Sequence, residues 1–220
     1  MKLLILCQKI NKNDPILGFF DRWVEVFSQK YEKTTVICLE KGESELPPSI
    51  PVLSLGKEKG NSRFQYLKNF FRYIWNERNN YDAVFVHMNQ EYVILGWSLW
   101  KLLGKKVYLW RNHHYGNAIT WTACVLSDKI FCTSSFSYTN KFKKCVIMPT
   151  GIDLERFSPR PVPRVPNSVL FIARISPVKK QDMIIRALAE IEVVPWVLTI
   201  LGATLPADIL YRDSLITLVF

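Results

Sequence analysis

Short apolar runs alternate with helix-length segments along most of this chain, and that alternation constrains its fold more than any other feature. Residues 2–7, 34–39, 52–55, 83–87, 106–110, 129–132 and 145–148 form mostly continuous apolar runs, the pattern of strands buried on both faces of a parallel sheet. Between them, residues 17–31, 64–78, 90–103 and 118–126 have the length and spacing of crossover helices. Prolines at Pro159, Pro161, Pro163 and Pro166 interrupt the series, because proline continues neither a helix nor a central strand. The pattern then restarts, with a strand predicted over 168–172, a helix over 181–191, a strand over 197–201 and a further strand from Ile216 to the last residue. The fold class read from this order is α/β: an N-terminal domain over 1–148, a linker over 149–166 and a partial second domain over 167–220. An end inside a strand is what a fragment would show.

Charge and cysteine content narrow the setting. Residues 1–148 carry 21 Lys and Arg against 12 Asp and Glu, whereas residues 149–220 are nearly balanced at 8 against 7. The basic surface therefore belongs to the first domain, where it would attract phosphates or anionic lipid. Five scattered cysteines form no C-x-x-C pair and read as reduced, buried small hydrophobes. The apolar start runs straight into Gln8 and Lys9, without the length or cleavage site of a signal peptide. No apolar stretch reaches the roughly 18–20 residues of a membrane span. The chain reads as cytoplasmic, with peripheral contact at the inner face of a membrane as a further expectation.

The most specific segment is Pro149-Thr150-Gly151-Ile152-Asp153-Leu154-Glu155-Arg156-Phe157-Ser158-Pro159, followed by Val169-Leu170-Phe171-Ile172-Ala173-Arg174-Ile175-Ser176-Pro177-Val178-Lys179. Arg174 and Lys179 fall on the loop between a buried strand and the next helix, placing two cations and the amides of a helix N-terminus where a diphosphate can dock. Taken alone, such a pair also suits a loop that merely solvates a helix end. Together the two stretches resemble the interdomain and second-domain motifs of the family-4 class of GT-B glycosyltransferases. The usual pattern there is N-G-[VI]-D, a nearby F-x-P, then a strand ending G-R-[LI]-x-x-x-K-G.

That resemblance implies a GT-B fold, with a complete Rossmann-like first domain on the acceptor side and part of a second that binds a nucleotide-sugar. It implies retention of anomeric configuration, with Arg174 and Lys179 holding the donor diphosphate and stabilising its charge as the glycosidic bond breaks, and Gly151 among the donor-binding residues. No D-x-D occurs, in keeping with metal-independent chemistry; no cofactor is expected, the nucleotide-sugar being a substrate. Departures are Thr150 for the usual Asn, Ala173 for a common Gly, and Lys180 for the Gly after the lysine.

In the first domain, the run 106–110 delivers Arg111, Asn112, His113, His114 and Tyr115 to the edge where doubly wound sheets bind ligands. His113 is the best match to the family's histidine facing the reacting sugar, with His114 one step away. His87 ends another strand; it resembles a second histidine position of the family and equally suits a core histidine bonded to a carbonyl. After the first strand, Gly18 opens a helix where a missing Cβ lets a phosphate or sugar approach the backbone. The dinucleotide fingerprint G-x-G-x-x-G is absent, against an oxidoreductase. Residues 64–75 mix aromatics with Lys and Arg, as suits either a helix at an anionic membrane or a crossover helix burying its aromatic face.

The family's acidic E-x7-E motif is not found after Lys179; Glu32 and Glu40 have that spacing by coincidence, in the first domain. The expected function is glycosyl transfer from a nucleotide-sugar to a polysaccharide, lipid-linked or small-molecule acceptor, the present chain being an inactive fragment, with no nucleic-acid partner. The alternative is a non-catalytic module that binds anions or a membrane surface and keeps part of this architecture.

Overall fold

A computed structural model describes residues 1–152, 154, 155, 157, 158, 163, 165–191 and 195–219. They form two compact units, Met1–Ile152 and Asp153–Phe220. Asp153, Arg156, Pro159 and Pro161 of the sequence motifs lie outside the described residues.

The first unit runs β1 (Lys2–Ile10), α1 (Phe20–Lys30), β2 (Lys33–Lys41), β3 (Val52–Ser54), α2 (Arg63–Asn76), β4 (Ala83–His87), α3 (Glu91–Leu102), β5 (Lys106–Trp110), α4 (Ala118–Leu126), β6 (Lys129–Cys132) and β7 (Cys145–Ile147). Its sheet is entirely parallel in the order β3-β2-β1-β4-β5-β6-β7. Alternation along the central strand sorts side chains between two cores. Leu4 and Leu6 join Phe70, Ile74, Val93, Trp100 and Ala123 from α2, α3 and α4. Leu3, Ile5 and Cys7 join Phe20 and Val24 from α1 on the other face. Each fully buried Leu or Ile here contributes about 1.5–3 kcal/mol relative to exposure.

Side-chain caps set two of the helix starts. Ser62 and Gln65 form a reciprocal capping box at α2, and Asn117 with Thr120 does the same at α4. β1 and β2 run three and two residues past the expected limits because their pairing continues through Lys9–Glu40 and Ile10–Lys41, where the ion pair Lys9–Glu40 at 2.6 Å holds the polar strand ends together.

The second unit contains β8 (Ser168–Ile172), α5 (Gln181–Ala189), β9 (Val197–Leu201) and α6 (Ile209–Val219), with β8 and β9 paired in parallel. The end of the chain corrects the sequence reading: the strand expected from Ile216 is the last part of α6. Pro206 opens a 3₁₀ turn leading into that helix, Leu215 is buried, and the Tyr211 hydroxyl donates to Asp182 Oδ1 at 2.9 Å. A run of a few apolar residues fits strand and helix alike, and these tertiary contacts decide for helix. α5, β9 and α6 line a half-open, mostly apolar hollow of about 450 Å³. Among the described residues nothing covers the other face of the two-stranded sheet, where Leu170, Ile172, Val197 and Leu201 are between 58% and 69% exposed.

Candidate active site

In the first unit the strand order reverses between β1 and β4, and the C-terminal ends of these strands bring polar groups together. β4 ends at His87, and Met88 then turns the chain with a left-handed φ of 64°, a conformation costing roughly 1–2 kcal/mol for a residue with a Cβ. The turn presents Asn89, whose amide donates to Gln8 Oε1 at 2.6 Å, and Gln90, whose Oε1 accepts from Arg111 Nε. Strain at a ligand-facing strand end is a recurrent feature of working sites. Met88 did not stand out in the sequence, since left-handed geometry at a methionine has no sequence signal.

His87 is 5% exposed. Its ring stacks on Phe20 at 4.3 Å, and Phe19 and Trp23 meet it edge-on. Burial in this aromatic box lowers its pKa to about 4, so the imidazole is uncharged at neutral pH.

His113 and His114 lie exposed on the loop after β5, with their rings stacked at 5.2 Å. The Tyr115 amide donates to His113 Nδ1 at 3.1 Å, which assigns the proton of the neutral ring to Nε2 and leaves that nitrogen a donor. The loop is pinned from below. Tyr138 N–H donates to the His113 carbonyl at 3.0 Å, and the Ser137 and Thr139 hydroxyls donate to the Arg111 carbonyl.

Gly18 lies two residues before α1. A Cβ there would meet Lys12 O at 2.6 Å and Asp14 O at 2.7 Å, and its own N–H already donates to Asp14 O. Close packing of the β1–α1 loop is therefore sufficient reason for this glycine. At Gly151 the opposite holds: nothing lies within 4 Å of an added Cβ, so packing among the described residues does not demand glycine.

In the second unit Arg174 and Lys179 share the loop between β8 and α5. Arg174 is half-buried and Lys179 exposed. Among the described residues, three polar atoms on this loop and at the first residue of α5 are buried without a partner: Arg174 Nε, Ser176 Oγ and Gln181 Oε1. Gln181 spends its other end on the loop itself, donating to Arg174 O at 2.9 Å. Orphaned buried polar atoms are uncommon and costly in folded proteins. The helix terminus is not wholly open, because the Asp182 amide donates to the Tyr211 hydroxyl at 3.2 Å and the Asp182 carboxylate sits in the first turn.

Two backbone features hold that loop. Lys180, which takes the place of the glycine usual in the resemblance, has a left-handed φ of 57°. Lys180→Gly is expected to raise the thermal midpoint of the second unit through about 1 kcal/mol of relieved strain, read by circular dichroism. Gly202, just beyond β9, lies against the peptide before Arg174: an added Cβ would fall 1.8 Å from Ala173 O. Gly202 was not singled out in the sequence, since a glycine after an apolar run there signals only the end of a strand.

No family model matches the chain. Over 92 residues it is 34% identical to a D-inositol 3-phosphate glycosyltransferase of Kineococcus radiotolerans, a match covering 34% of this chain and 21% of that protein. Its fold is similar to that of Anabaena Alr3699/HepE, determined in complex with UDP, at TM-score 0.70 and 15% identity, covering all of this chain and 65% of that one. The lipopolysaccharide outer core galactosyltransferase WaaB follows at TM-score 0.67 and 12% identity, covering 99% and 65%. A UDP-GlcNAc 2-epimerase from Methanocaldococcus jannaschii gives 0.54 at 12% identity, covering 99% and 69%. The chain thus has the GT-B fold, its first unit a Rossmann-like domain. It spans 65% of the length of HepE and WaaB.

Proposed function

We propose that this chain forms the acceptor-side domain and the first part of the donor-side domain of a nucleotide-sugar-dependent glycosyltransferase that retains anomeric configuration and works without a metal. The observation that carries the reading is the β8–α5 loop, which bears the exposed Lys179 and where Arg174 Nε and Ser176 Oγ are buried without a partner among the described residues. On this reading the donor's diphosphate accepts from Arg174 Nε and from the Ser176 hydroxyl. As the bond between the anomeric carbon and the diphosphate oxygen breaks, negative charge builds on that oxygen, and Arg174 and Lys179 stabilise it. The sugar passes to a hydroxyl oxygen of a glycan, lipid-linked or small-molecule acceptor, and the hydroxyl's proton goes to the departing nucleoside diphosphate. His113, with Nδ1 occupied by the Tyr115 amide, offers its Nε2 proton to a sugar hydroxyl. Gly18 lies on the acceptor side, and Gly151 leaves room for the donor.

Titration calorimetry with UDP tests the diphosphate assignment on the chain as it stands. Arg174→Ala and Lys179→Ala are each expected to weaken UDP binding about 10-fold or more, the range for a lost hydrogen bond to a charged group. Undiminished affinity in both variants would overturn the assignment. The fold is shared with an epimerase, and fold alone does not choose between the two chemistries. Appearance of the 2-epimer from UDP-GlcNAc, without transfer to any acceptor, would replace the transferase reading.

A further inference from the structure

The outer face of α2 is not finished as a solvent face. The helix buries Phe70 and Ile74 in the core, yet Phe64 is 76% exposed, Leu67 39%, Phe71 43% and Trp75 49%. These four recur at i, i+3, i+7 and i+11, so they form one continuous stripe along the cylinder. The helix contains no Asp or Glu, while Arg63, Lys68 and Arg72 lie on it and Arg78 follows just beyond its end. None of the ion pairs among the described residues engages these four cations. Two of them lie over rings, the Arg78 guanidinium 4.4 Å from the Trp75 ring centre and that of Arg72 5.0 Å from Tyr73.

We infer that α2 docks the first unit onto an anionic phospholipid surface, with the Phe64–Leu67–Phe71–Trp75 stripe entering the headgroup boundary and the cations contacting lipid phosphates. Charge decides between a membrane and a protein groove. Residues 57–78 carry six Lys and Arg against two Glu, and one of those, Glu58, is already committed to the Ser54 hydroxyl and the Lys41 amide. An apolar stripe rimmed by cations with no acidic residue on its helix is the composition of an interfacial helix. It differs from a protein-contact face, whose centre is depleted of charge and whose rim carries both signs. No helix among the described residues is long and apolar enough to cross a membrane, so the contact is at the surface. The inference does not rest on the glycosyltransferase reading.

Vesicle co-sedimentation tests it, using phosphatidylcholine with and without phosphatidylglycerol. The chain is expected to bind the mixed vesicles, to leave pure phosphatidylcholine largely unbound, and to dissociate as salt is raised. Lys68→Glu with Arg72→Glu should weaken binding at least about 20-fold, since each cation near an anionic surface is worth roughly 5-fold. Phe71→Ser with Trp75→Ser should weaken it at least about 10-fold. These residues are exposed, so both variants should keep the parent's melting temperature, and UDP affinity serves as an independent check on the second unit. Equal binding to neutral vesicles, or parental binding by both variants, would overturn the inference. So would sedimentation-velocity dimers that Phe71→Ser/Trp75→Ser dissolves while vesicles go unbound, or retention on a polyanion column without vesicle binding.

Discussion

Gly202→Ala is expected to destabilise the second unit by about 1–3 kcal/mol and to weaken UDP binding with it. The added methyl carbon would stand 1.8 Å from Ala173 O, 2.6 Å from Ala173 C and 3.2 Å from Arg174 N. All three are backbone atoms, so no rotamer change relieves the overlap. The peptide must move, and it is held in place by Ala173 N–H donating to Leu201 O at 3.0 Å and Ile175 N–H donating to Ala203 O at 2.9 Å. Displacing it shifts Arg174 and the Gln181 amide that donates to Arg174 O. Gly151→Ala is the matched control, with nothing within 4 Å of the new carbon; its effect on stability should stay within about 0.5 kcal/mol. Urea titrations followed by circular dichroism, with UDP calorimetry alongside, distinguish the two. Equal stability for both variants, or parental UDP affinity in Gly202→Ala, would refute the loop geometry.

The second large effect is a pH dependence seated at His87. Its folded-state pKa is lowered to about 4 by burial, against roughly 6.5 for an unfolded chain. The unfolded state therefore binds a proton first as pH falls, and the folded state loses stability progressively from about 6.5 down to about 4. Between pH 7 and pH 5 this one group should cost roughly 2 kcal/mol. His87→Asn removes the titration, so the gap in unfolding free energy between the parent and this variant should narrow by that amount at pH 5. A gap that stays constant across the two pH values would place the proton-binding difference elsewhere.

The sequence carried most of the architecture because both signals in it are strong. The limits of β4, β5, β6, β8 and β9 are as the apolar runs indicate, since a strand covered on both faces has little freedom in composition. Position along the sheet's C-terminal edge followed directly for His87 and His113. What the sequence withheld is backbone conformation. Met88 and Lys180 adopt left-handed φ values without being glycine, and Gly202 is defined by a neighbour nearly thirty residues away. Aromatic content at α2 likewise left open which rings face inward: Phe70 is buried and Phe71 exposed, a difference of one position that only packing against α3, through Tyr92 and Trp100, decides. The end of the chain was misread for the converse reason, its short β-branched run being overruled by a tie between α5 and α6.

The bare face of the β8–β9 pair bears on how the protein is made. The first unit has both of its cores in place by Ile152, so it can fold as soon as that much chain has left the ribosome. Emerging later, β8 and β9 present Leu170, Ile172, Val197 and Leu201 to water and form a sheet of two strands among the described residues, and exposed apolar faces and strand edges recruit chaperones or one another. Expressed by itself, the 220-residue stretch should therefore give a yield that responds to chaperone supply during translation more than to any change in the seven-stranded sheet.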